Sequence, residues 1–329
     1  MDHIAETQIQ PSEKGLSPVI YGTPVTQDEF IPQALSSVDL GRRLTSFDDK
    51  LLASRGLQIL KETPQNMWGR VNCLPTATLV AINHLRGQRV FGTGDDAELT
   101  LGDFYNAGVL AHLNDREVDG QKQKGFPSFH RVSGETYHPF AIAVARRFGV
   151  DGAVVTGFKD VRFIPELIKA GCEVIVSMDN LFIPAASAPH LDPNVLSVSK
   201  HAEIFHRANA KTGDLVFTDV FNARDGRSWD SRNKEVSQDV VNRYLTCPRR
   251  GDNSTRAIVL YDATNKNAQS AISSIPGDAQ VIVAPHNPIL DYKPGAPLRE
   301  WNQEIESLWK ENGLTQWELV DFIQGQKNH

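Results

Sequence analysis

Cys73 stands in Asn72-Cys73-Leu74-Pro75, directly ahead of a run in which Leu79, Ile82 and Leu85 recur at helical spacing and Gly87 ends the pattern. A cysteine at a helix start is chemically distinct from a buried structural thiol. The free N–H groups and the helix dipole favour the thiolate, the form that acts as a nucleophile. His201 opens the strand-like run HAEIFHRA, and from there an imidazole can face a helix start and move the thiol proton. Asp219 lies on the next strand of an apparent hairpin, where it can orient the ring and hold its useful tautomer. Asn222 is the competing orienter, because an amide serves the same purpose in some thiol enzymes. The oxyanion of a tetrahedral intermediate needs donors as well. The backbone N–H of Cys73 is one, and Gln65, Asn66 and Asn72 are the side-chain candidates.

The remaining titratable groups have plainer readings. Cys172 lies at a helix-to-strand junction beside apolar residues and Cys247 precedes Pro248, and both read as structural thiols. His206 is an odd number of residues from His201, so it projects from the opposite face of the same strand. His84, His112, His130, His138 and His190 show no ligand spacing, so the expectation is no metal site and no cofactor. The glycines and acids of residues 92–98 lack the Lys-Ser/Thr of a phosphate loop.

The elements that must position these groups follow from periodicity. SFDDKLLASRGLQILKE (46–62) suits a short capped helix, and the Cys73 run makes the next. SGETYHPFAIAVARRFG has Ser133 as cap, Phe140, Val144 and Phe148 as its stripe, and Gly149 as stop. A further helix spans about 161–170. The pattern then changes to strands: CEVIVSM, HAEIFHRA, a turn at 211–214, LVFTDV and RAIVLYD. Helices first and antiparallel strands afterwards predict an α+β domain, with helices packed on one antiparallel sheet. The expected organisation is an irregular arm over 1–45, a catalytic domain over 46–265, and a C-terminal extension over 266–329. That extension carries two helices, the first striped by Trp301, Ile305 and Leu308. The Pro-rich segment 181–200 precedes the His201 strand and reads as an active-site loop.

At 329 residues and 40% hydrophobic the chain can bury a large core, and its net charge of -6 provides no broad basic field. Nucleic acid is therefore not the expected partner. No run of 18 apolar residues and no signal-peptide pattern occurs, and three unpaired-looking cysteines suit a reducing compartment, so the expectation is a cytoplasmic protein without a membrane partner. Oligomeric state is not legible.

The order NCLPTATLVAINHL (72–85), IKAGCEVIV (168–176) and KHAEIFHRANAKTGDLVFTDV (200–220) resembles papain-like cysteine peptidases of the bacteriocin-processing, double-glycine leader peptidase type. In that group an Asn/Asp-Cys-Gly-Pro opening, a Gly-x-Pro-Val-Ile strand and a His-Ala strand followed by Asp-Pro recur in this order. Leu74 and Val220 replace the group's Gly and Pro, and Met67 stands where it has the oxyanion Gln. The resemblance covers about half the chain. It implies a papain-like fold with Cys73 as nucleophile, His201 as base and acid, and Asp219 as orienter. The implied function is a cysteine peptidase or amidohydrolase acting on a peptide, amide or acyl substrate, free or carrier-bound. Two rivals stand beside it: an acyltransferase or amide-forming enzyme using the same three residues, and an inactive papain-like binding module.

Overall fold

A computed structural model describes residues 19–33, 73–94, 97, 99–101, 104, 116–118, 121–123, 138–186, 189, 200–221 and 231–283. The strands are β1 (Ile20–Tyr21), β2 (Arg116–Val118), β3 (Gln121–Gln123), β4 (Val150–Thr156), β5 (Cys172–Asp179), β6 (Lys200–Asn209), β7 (Leu215–Asp219), β8 (Lys234–Val236), β9 (Arg256–Asp262) and β10 (Gln280–Val283). The helices are α1 (Cys73–Arg86), α2 (His138–Arg146), α3 (Ile164–Lys169), α4 (Phe182–Ala186), α5 (Gln238–Arg243) and α6 (Lys266–Ser273). Among the described residues, one sheet runs in the order β10-β4-β9-β5-β6-β7-β8 with β1 added to β6, and β2 pairs β3 apart from it. Every pairing is antiparallel. The protein is thus a mixed α+β structure.

The central strands are apolar on both sides, and alternate residues feed two separate cores. Ile175 of β5 and Ile258 and Leu260 of β9 pack with Leu79, Val80 and Ile82 of α1 and Phe140 and Val144 of α2. Val174 and Val176 of β5 and Val259 of β9 pack with Ile164 and Leu167 of α3, Val241 of α5 and Ile272 of α6. A strand covered on both faces loses the polar alternation that would mark it in sequence. Strand β4 shows this, and Gly152 also interrupts its pattern. A Cβ at Gly152 would overlap the carbonyl oxygen of Val259 on the neighbouring strand, so the close approach of β4 and β9 requires glycine there.

Part of the expected N-terminal arm is built into this body. Val25, Ile31 and Gln33 are buried, Val25 and Asn233 exchange two hydrogen bonds, and the Gln33 N–H donates to the Val220 carbonyl. Asn83 of α1 ties the same segment down: its amide donates to the carbonyls of Glu29 and Phe91 and accepts from the N–H groups of Val90 and Phe91. Helix α6 and strand β10, which fall in the expected extension, join the same sheet and its second core. The two expected terminal helices and the helix expected at 46–62 lie outside the described residues, as does most of 187–199. At the start of the 181–200 segment, α4 buries Phe182 against Phe205 and Phe217.

Candidate active site

Helix α1 begins at Cys73 itself, and Pro75 sits in the first turn, where its missing N–H costs nothing. Residues 74–83 of the helix are buried, which fixes its start, while Cys73 is only partly buried. The Cys73 side chain stands beside the imidazole of His201, the second residue of β6, near enough to help hold the ring proton. His201 Nε2 donates to Asp219 Oδ1 at 2.8 Å, which leaves Nδ1 as the ring nitrogen for the sulfur. Asp219 Oδ1 also accepts from the Phe221 N–H at 2.7 Å, so the carboxylate is itself held in place. The Phe221 ring stands edge-on to the imidazole at 5.6 Å.

The meeting of His201 and Asp219 depends on one irregularity. Near the turn, β6 and β7 pair Ala208 with Leu215 and Arg207 with Val216; past it they pair Phe205 with Phe217 and Glu203 with Asp219. His206 is the extra residue of a bulge. Without it, Asp219 would stand opposite Ile204 and point away from His201. The bulged residue is anchored: His206 Nδ1 donates to the Thr23 carbonyl, and Nε2 accepts from the Thr218 hydroxyl, each at 3.0 Å.

The bulge also places Glu203 in the site, a residue that the sequence reading passes over as one more strand position. Glu203 lies two residues from His201, hence on the same side of β6, and directly opposite Asp219. It is fully buried, its Oε1 is 4.0 Å from His201 Nε2, and neither of its oxygens has a hydrogen-bond partner. Asp219 Oδ2 is likewise unpartnered. Burial, followed by the Asp219 charge, pushes the Glu203 carboxyl well above the usual carboxylate range, against the pull of the His201 ring. For His201 burial alone disfavours the charged ring. The Asp219 carboxylate, its hydrogen bond, the Cys73 side chain and Glu203 together outweigh it and hold the imidazole well above its ordinary value. An imidazolium is thus favoured beside the sulfur.

His201, Glu203 and Asp219 each offer one donor atom, and the three atoms lie within 4.8 Å of one another. One nitrogen and two carboxylate oxygens form a donor set that suits a zinc-class cation. The donors come from two strands and carry no local spacing, so the sequence pattern has no signal for this cluster.

Gln65, Asn66, Asn72 and Asn222 lie outside the described residues, so the side-chain oxyanion donor and the alternative orienter have no structural placement. Cys172 and Cys247 are buried thiols outside any disulfide, and burial pushes the Cys172 thiol up to about 12. His84 ends the Cys73 helix and forms a second buried network: its Nδ1 donates to Glu173 at 2.7 Å and its Nε2 is 2.9 Å from the Thr23 hydroxyl. His138, at the start of α2, sits 3.4 Å from the Ser177 hydroxyl. A groove of about 670 Å³ lies between α3 and α6, lined by Phe163, Leu167, Ala271 and Ile275 among others, and none of the candidate-site residues lines it. No described helix is long and apolar enough to cross a membrane.

A scan against protein-family models finds no match, and a search of curated proteins finds no significant one.

Proposed function

We propose that the protein is a thiol-dependent acyl-transfer enzyme with a papain-like catalytic arrangement, acting as a cysteine peptidase or amidohydrolase in the cytoplasm. The observation that carries this reading is the His201 imidazole, which is hydrogen-bonded to Asp219 and has the Cys73 side chain beside it. In the proposed reaction the Cys73 sulfur attacks the acyl carbon of a peptide or amide, and His201 carries the proton. The Cys73 N–H, unpaired at the helix start, donates to the developing oxyanion. His201 then protonates the departing amine, leaving an acyl thioester that water hydrolyses as the imidazole accepts its proton. Asp219 keeps the ring oriented and stabilises the imidazolium.

The test is intact mass spectrometry after mixing with p-nitrophenyl acyl esters and short peptide amides. An acyl adduct on Cys73 that forms in wild type, decays by hydrolysis and never forms in Cys73→Ala is expected. Turnover that survives Cys73→Ala refutes the reading, and the absence of any adduct with every donor supports the binding-module alternative.

A further inference from the structure

We propose that Glu203, Asp219 and the Nε2 nitrogen of His201 form a site for a zinc-class divalent cation that silences Cys73. The unpartnered oxygens point to it. Buried carboxylates are as a rule hydrogen-bonded, ion-paired or metal-bound. Glu203, with none of its surface exposed, has no hydrogen bond at either oxygen, and Asp219 leaves Oδ2 unpaired beside it. The cation nearest Glu203 among the described residues is the His201 ring, at 4.0 Å. A cation with ligand bonds of about 2 Å spans donors separated by up to about 4 Å; these three atoms lie within 4.8 Å of one another, so binding draws the side chains together by less than about 1 Å.

The surroundings select the class of ion. Val176 and Met178 are the cross-strand neighbours of Glu203 and His201, and the Phe221 ring covers the imidazole. Such an apolar wall leaves little room for the six or more oxygens of calcium or the water shell of magnesium. An imidazole and two carboxylates satisfy a tetrahedral ion that keeps one open position.

Cys73 is not a ligand in this arrangement, because the imidazole lies between sulfur and cation. The cation takes the Nε2 lone pair and a Glu203 oxygen, and the Nε2 proton and the proton held by the Glu203 carboxyl leave to solvent. The ring keeps one proton, on Nδ1, and loses the imidazolium charge that favours the thiolate; Cys73 then takes a proton from solvent, and the ring has no lone pair with which to remove it again. Cation binding stands independently of the thiol reading, and only the silencing rests on it.

Zinc chloride titrated calorimetrically into the full-length protein, with a non-thiol reductant, tests the site. One equivalent should bind wild type and Cys73→Ala alike, and Glu203→Gln should weaken binding by more than about tenfold. No binding to wild type overturns the proposal, as does binding that is lost in Cys73→Ala and retained in Glu203→Gln. Cobalt(II) bound to wild type gives a readout independent of variant folding: ligand-field bands without a thiolate charge-transfer band are expected, and the thiolate band overturns the site. Iodoacetamide labelling of Cys73 should slow with zinc in wild type and not in Glu203→Gln. A Cys73 that is unreactive even without zinc counts against the thiol reading and leaves the binding result intact.

Discussion

Two histidines away from the proposed chemistry set a sharp acid sensitivity. Burial, with the charges of Arg256 and Lys200, pushes His138 down to about 4, and burial, with the charge of His84, pushes His206 down to about 3, both from 6.5. A histidine with a depressed folded-state value stabilises the fold above its unfolded value, and that stability is lost as pH falls through 6.5 towards the folded value. Between pH about 6.5 and about 5 the unfolded chain takes up protons at both sites and the folded chain at neither. At about 1.36 kcal/mol per pH unit for each full proton, and with each site half-protonated at the start, the loss is about 1.5 kcal/mol per histidine and about 3 kcal/mol together. His84 has the opposite sign: Glu173 overcomes burial and raises it, so its contribution is present below 6.5 and is lost at higher pH. The depressed aspartates, Asp160, Asp252 and Asp262, start from 3.8 and lose their contributions below this window. Urea unfolding of wild type and of a His138→Gln/His206→Gln double variant at both pH values measures the slope. His201, Glu203 and Glu173, all raised in the folded chain, act with the same sign as His84 and are common to both proteins, so the wild type should lose about 3 kcal/mol more than the double variant. Equal slopes in the two proteins would refute the assignment.

Three further outcomes follow from the same contacts. Asp219→Asn leaves the ring without its charged partner and should lower Cys73 acylation by about 10²–10⁴-fold, measured by adduct formation. Asn83→Ala strands two carbonyls and two N–H groups inside the protein and should cost about 3 kcal/mol or more by chemical unfolding. Gly152→Ala sets a methyl group against the Val259 carbonyl and should cost about 1–3 kcal/mol while leaving Cys73 labelling intact.

The parts of the fold legible in sequence were those with one clear period. Helix α1 announced itself through Leu79, Ile82 and Gly87, and strands β5, β6, β7 and β9 through β-branched runs between turn residues. Strand β4 was hidden by burial on both faces and by Gly152. The β10 strand is four exposed residues at a sheet edge, too short for a pattern. In the third helix, the expected span at 161–170 narrows to Ile164–Lys169.

Within the candidate site, Cys73, His201 and Asp219 were readable as types in a chain order, but their meeting was not. It depends on a bulge at His206, and a bulge changes the register of every residue beyond it without leaving a mark in composition. Glu203 was missed for the same reason. An acid two residues from a strand histidine was a visible signal; that it faces Asp219 follows only once the register is known.

The central claim is that His201 activates Cys73. Wild type and His201→Ala should be titrated with iodoacetamide near neutral pH and followed by intact mass and peptide mapping, with the buried Cys172 and Cys247 as internal controls. The account predicts rapid labelling confined to Cys73 in wild type, and labelling slowed to the rate of an ordinary thiol in His201→Ala. Equal rates at Cys73 in the two proteins would contradict it.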